Sequence, residues 1–160
     1  MRKLMYNAIA IVAVLVILVF TGRKSVHHEI TIDATPEKVW QVLTDMEKYP
    51  EWNPTMQLVS GEVKEGNKVR YQFTQDPENV SEMDAVVVEV SPNEVLNQKG
   101  GMPMILTFDH RYIIEESGNQ TKMTIHEDYA GIGVNFWNPK AVEEAYGRLN
   151  EALKARVESL

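Results

Sequence analysis

ITIDATPEKVWQVLTDMEKYPEWNP (residues 30–54) is the stretch on which the fold turns. It continues an alternating, β-branched run, HHEITIDA from His27, that reads as a strand. Thr35 then supplies a side-chain cap, and Pro36 suits the first position of a helix. Val39, Trp40 and Leu43 fall on one face of that helix. Pro50 and Pro54 end it and steer the chain into the next segment. Tyr49 and Trp52, set between these prolines, read as packing residues that fold the chain back onto a sheet. Trp52 is also a candidate contact for a bound molecule.

Working outward, the pattern downstream changes to period two. Strands are expected at Met56–Glu62, Lys68–Gln75, Met83–Val90, Val95–Lys99, Leu106–Glu116 and Lys122–Ala130. The breaks between them carry Gly66-Asn67, Asp76-Pro77, Pro92-Asn93, Gly100-Gly101 and Gly118-Asn119, each with its own turn chemistry. Asn138-Pro139 repeats the cap-plus-proline start. From there Val142, Ala145, Tyr146, Leu149, Leu153 and Val157 recur at helical spacing. One strand, a broken helix pair, a run of antiparallel strands and a long amphipathic helix make an α+β order. A sheet with one apolar face must cover it, and the last helix is the longest stripe available to do so. The expected architecture is a curved sheet wrapped around that helix.

Upstream, Leu4–Phe20 is 17 residues without a charge. It sits at the short limit for crossing a bilayer, and Arg2 and Lys3 before it also suit a signal peptide. VFTGRKS offers no small-x-small cleavage site, so an uncleaved single-pass anchor is expected in residues 1–24, with the domain in 25–160. A polar linker is expected over Thr21–Val26. Basic residues flank both ends of the anchor and leave its orientation open; a bacterial inner membrane, with the domain outside the cytoplasm, is the placement preferred.

Charge narrows the function further. All 23 acidic residues but only 12 of the 16 basic ones follow Lys24, so this part carries a net charge of −11. With no basic cluster, nucleic acid is excluded as a partner. Such a surface is also repelled by anionic lipid. No histidine pair has the spacing of a zinc site, since the adjacent His27 and His28 point to opposite faces of a strand. No glycine-rich phosphate loop is present, and neither metal nor cofactor is expected.

In ITIDATPEKVWQVLTDMEKYPEWNP, in FDHRYIIEE and TKMTIHEDYAG, and in the terminal helix, the chain resembles the START-like or helix-grip superfamily. The branch it resembles is the one called SRPBCC or polyketide cyclase/dehydrase, and the resemblance covers nearly all of residues 26–160. It implies an apolar cavity between sheet and last helix, used for lipids, polyketides, sterols or quinones. It does not imply one reaction, because members include carriers, cyclases and hydrolases.

The last hairpin carries the candidate chemistry. If its turn centres on Gly118-Asn119, then Ile114 faces Met123, Tyr112 faces Ile125, Phe108 faces Tyr129 and His110 faces Glu127. His110 and Glu127 become a polar pair among apolar neighbours: either a proton-transfer dyad or a hydrogen bond that steadies the hairpin or a ligand's polar end. The same register sets Asp109 against Asp128 on the outer face, an unfavourable pairing. Tyr71 and Phe73, with Val69, alternate with Arg70 and Gln72, and are candidates either for core packing or for ligand contact. So are Tyr146 and Leu149. Met102, Pro103 and Met104 form either an apolar lip at the cavity mouth or an ordinary loop anchor.

Three functions fit. The first is a membrane-tethered domain that binds a lipid, quinone or polyketide-like molecule through Trp52, Tyr71, Phe73, Phe108, His110, Tyr112, Glu127, Tyr146 and Leu149. The second is a cyclase or dehydrase using His110 and Glu127. The third is an interaction module with a closed core.

Overall fold

The computed structural model describes residues 2–160. Helix α1 (Arg2–Thr21) leads directly into strand β1 (Arg23–Ile32), followed by α2 (Pro36–Thr44), a short 3₁₀ turn at Met46–Lys48 and α3 (Tyr49–Trp52). Six strands follow: β2 (Met56–Ser60), β3 (Lys68–Asp76), β4 (Asn79–Ser91), β5 (Val95–Met102), β6 (Leu106–Ser117) and β7 (Gln120–Ala130). A 3₁₀ segment at Ile132–Phe136 precedes the final helix, α4 (Lys140–Glu158). The strands form one antiparallel sheet in the order β1-β7-β6-β5-β4-β3-β2, curled around α4 in the helix-grip manner.

Local signals in residues 30–54 act as their chemistry dictates. Thr35 Oγ1 accepts from Lys38 N at 3.4 Å, capping α2 behind Pro36. Tyr49, buried, donates its hydroxyl to Leu43 O at 2.6 Å and ties the break back onto α2. Asn53 Oδ1 accepts from both Thr55 N and Met56 N at 2.9 Å, turning the chain into β2. Thr55 Oγ1 then donates to Ala145 O on α4 at 3.2 Å. The segment therefore clamps one end of the sheet to the helix it wraps.

Three local expectations are corrected. There is no linker at Thr21–Val26: β1 begins at Arg23, which pairs with Ala130. Polar Arg23, Lys24 and Ser25 hid a strand whose first buried residue is Val26. β4 starts at Asn79: Asn79–Glu82 pair with β3 but run beyond β5, so they stay exposed and show no alternation. Gly100-Gly101 is not a turn but the end of β5, where Gly100 pairs with Phe108. A Cβ at Gly100 would collide with the Phe108 ring, so glycine there lets the ring lie across the strand.

The core is uneven. Leu149, Leu153 and Val157 on the second half of α4 are fully buried with Ile32, Val39, Leu43, Leu96 and Met123. In the first half of α4 Val142 and Tyr146 are buried too, but they border a cavity. By contrast α1 buries none of its residues against the chain, and it is the one helix among the described residues long and apolar enough to cross a membrane.

Two measurements test this packing. Leu153→Ala removes a fully buried side chain with no void to collapse into, and is expected to cost about 2–5 kcal/mol in denaturant unfolding. Tyr49, Tyr71 and Tyr112 are also buried, and burial raises each phenol, Tyr71 from 10.0 to about 12. Below the unfolded value of 10.0 these phenols are protonated in both states and their contribution to stability is complete. Above it the unfolded chain ionises first. Stability is expected to fall as pH rises through that window, by about 1.4 kcal/mol per pH unit for each phenol. Phenolate absorbance from these tyrosines should appear only with unfolding.

Candidate functional site

The β6–β7 hairpin builds the site. Its register is the one expected from a turn at Gly118-Asn119: His110 pairs with Glu127, Phe108 with Tyr129, Tyr112 with Ile125 and Ile114 with Met123. All eight point inward and are buried. On the outer face Asp109 does stand opposite Asp128, but Arg111 lies 2.6 Å from Asp109 and 3.3 Å from Asp128, and Lys99 is 2.8 Å from Asp109. Cations from the same and the neighbouring strand offset the repulsion.

Between this hairpin, β3–β5 and the first turns of α4 lies a cavity of ≈ 630 Å³, within the range that holds a small organic molecule. Phe73, Met83, Leu106, Phe108, Trp137 and Val142 supply apolar wall. Met102 and Pro103 lie at its rim. Glu127 reaches the cavity with Tyr129 and Tyr146 beside it. Another hollow, of ≈ 680 Å³, has Phe108, Tyr129 and Ala130 in its wall together with the charged Arg23, Lys24, Lys99, Asp109 and Asp128.

Glu127 is buried, and a bare carboxylate in such a place is costly. Two phenols compensate: Tyr129, two residues along the same strand, and Tyr146 from α4 both donate to Glu127 Oε2. Burial first, and then the Glu127 charge, push both phenols well above their ordinary value, so they remain donors. His110 stands back from this cluster. Its Nδ1 is 3.7 Å from Glu127 Oε2, and neither ring nitrogen has a hydrogen-bond partner. The ring packs edge-on against Tyr112 and Tyr146, with centroids 4.5 and 5.2 Å away.

Of the residues singled out in sequence, Phe73, Phe108, Glu127 and Tyr146 meet at the cavity, with His110 directly behind Glu127. Tyr71 is in the core, its hydroxyl accepting from Gln98 Nε2 at 2.8 Å. Tyr112 and Leu149 are likewise buried in the core rather than on the cavity wall. Trp52 lies elsewhere, against Tyr49 and beside a surface hollow with Lys38 and Arg156, because α3 closes the opposite part of the molecule. Tyr129, expected from sequence to face Phe108 on the inner side but not named as a site residue, completes the cluster. Met83, Leu106, Trp137 and Val142 look like ordinary apolar positions until β4, the β5–β6 loop and α4 converge.

The comparisons agree with this architecture. A family model described as polyketide cyclase / dehydrase and lipid transport matches residues 23–158. Protein CV1439 from Chromobacterium violaceum superposes with a TM-score of 0.69 at 13% identity, over 84% of this chain and 97% of that one. Major latex-like protein 151 from Panax ginseng gives 0.69 at 12%, over 84% and 97%. Norcoclaurine synthase from Thalictrum flavum, solved with dopamine and hydroxybenzaldehyde, gives 0.66 at 12%, over 86% and 87%. No curated protein matches the chain in sequence. At these identities the solved structures share a fold and nothing finer; the family match, running from the first strand almost to the end of α4, places the chain in the polyketide cyclase / dehydrase and lipid transport family.

Proposed function

We propose that this protein binds a hydrophobic small molecule in the cavity under α4 and is held at a membrane by α1. One observation carries the proposal: a mostly apolar cavity of ≈ 630 Å³, with Gln75, Ser81, Glu82 and Asp84 on its β3–β4 side, whose one buried carboxylate, Glu127, is held by two phenols at its wall. Apolar walls supply affinity at roughly 25 cal/mol per Å² of ligand surface removed from water. The Glu127–Tyr129–Tyr146 cluster supplies the polar contact that orients one end of the guest. A lipid, quinone or polyketide-like molecule with a single polar end fits this division. The family description and the complexed norcoclaurine synthase both support an organic guest in this fold.

A cyclase or dehydrase would use the same Glu127 as its acid–base group. His110, 3.7 Å away and without a polar partner, supports that reading less than a direct dyad would. The cavity beside Val142 and Tyr146 speaks against a module with a fully closed core.

Native mass spectrometry of the full chain purified from its own cells, followed by solvent extraction, tests the proposal. A co-purified amphiphile is expected, and Val142→Trp, which fills the space beneath α4, should abolish it without lowering the unfolding midpoint. A wild-type chain that emerges empty and takes up no apolar fluorescent probe would sink the idea. Glu127→Gln is expected to weaken a guest with a polar hydrogen-donating end by about tenfold or more, the scale of a hydrogen bond to a charged group. The same change should leave a purely apolar probe almost unaffected in a titration followed by tryptophan emission.

A further inference from the structure

Two uncharged stretches of this acidic chain meet beside the end of α1. Residues 100–108 and 129–139 contain no charged side chain, although the chain after Lys24 carries a net −11. Backbone bonds join them: Ile132 N donates to Met104 O at 2.9 Å and Gly133 N to Ile105 O at 2.8 Å. The second stretch is fastened to α1 as well. Asn135 Nδ2 donates to Leu18 O at 2.7 Å, Thr21 Oγ1 donates to Asn135 Oδ1 at 3.3 Å, and Gly131 N donates to Gly22 O at 2.9 Å. A Cβ at Gly22 would strike the Gly131 carbonyl, so the joint is a close contact rather than a tether.

At this joint the apolar side chains face outward. Met102, Met104, Ile105 and Phe136 are 59%, 70%, 49% and 78% exposed, and Phe20 at the end of α1 is 70% exposed. Met104 holds its position at φ 65°, where glycine or asparagine is the ordinary choice. A loop that met only water would have no use for methionine there. Exposed apolar clusters of this kind mark a contact surface. Leu18, whose carbonyl Asn135 reaches, lies about 3 Å along the axis from Phe20, the last residue of the uncharged run. The loops therefore stand at the level where α1 would leave the hydrocarbon. Arg23 is exposed just beyond, and Lys24 donates to Trp137 O, which suits headgroup height. Glu82 and Asp84 also line the cavity, Asp84 on the strand beside Gly100, and their charges are paired with Arg70 at 3.8 and 2.6 Å.

We propose that Met102, Met104, Ile105 and Phe136 enter the headgroup–acyl boundary of the bilayer that α1 spans. The cavity rim formed by Gly101, Met102, Pro103 and Trp137 then opens toward lipid, and the guest passes between bilayer and cavity without crossing water. This rests on α1 being a membrane-spanning helix, and the test separates the two.

The chain has no cysteine, so single substitutions can be spin-labelled in the full protein reconstituted in phosphatidylcholine vesicles. Val14→Cys reports on α1, Ile105→Cys and Phe136→Cys on the two loops, and Asn119→Cys on the β6–β7 turn at the opposite end of the sheet. Collision with oxygen, which concentrates in lipid, is compared with collision with a water-soluble nickel chelate. The expected result is an oxygen-to-nickel ratio at Val14 and at one or both loop positions several-fold above that at Asn119. If Val14 reads lipid while both loop positions match Asn119, the bilayer contact is overturned and the anchor stands. If Val14 itself reads water, the anchor and the contact fall together.

Discussion

Everything in the domain depends on the register of β6 against β7. Side chains alternate along a strand, so a slip of one residue on β7 would turn Glu127 and Tyr129 outward and bring His126 and Asp128 into the core. The observed register instead sets a row of Ile114, Tyr112, His110 and Phe108 against Met123, Ile125, Glu127 and Tyr129. That row runs from a sealed core at the hairpin turn to an open cavity at the other end. The outer face shows how firmly the register is held. It tolerates Asp109 opposite Asp128, and Arg111 and Lys99 supply the compensating charge.

Glu127 expresses the same constraint in electrostatic form. Inward parity forces a carboxylate into the core, where burial is permissible only with strong donors. One donor comes from its own strand and the other from α4, so the Glu127–Tyr146 contact also helps to position the helix across the sheet. His110 shows the converse case, a buried ring whose nitrogens are left without protein partners while its faces are packed by aromatic edges.

Much of this was legible in the residues themselves. The cap at Thr35, the proline breaks, the period-two run and the apolar stripe of α4 all follow from local chemistry, and the hairpin register follows from one turn. What was hidden depended on pairing across distance. β1 begins in RKS because β7 offers it a partner, which no property of Arg23 or Lys24 announces. Gly100-Gly101 has the composition of a turn, yet serves the ring of Phe108. His27 and His126, far apart in sequence, are cross-strand neighbours with Nδ1 atoms 3.4 Å apart. The cavity wall was only half visible, because an apolar residue that lines an opening carries the same signature as one that fills a core. Leu149 and Val142 illustrate this: both lie on the buried stripe of α4, but only Val142 is over the opening.

The missing linker has the widest consequence. Had residues 21–26 been a flexible tether, the domain could have sampled any orientation relative to α1. With β1 starting at Arg23 and Asn135 closing onto Leu18, orientation is instead set by hydrogen bonds at the end of α1. The edge strand β1, the Ile132–Phe136 segment and the β5–β6 loop are all organised around that joint, and the cavity opens beside it. The hairpin register decides which side chains form the cavity, and the joint decides which way it opens. Both depend on the same few residues, since Arg23 and Thr107 each pair with Ala130 at the end of β7.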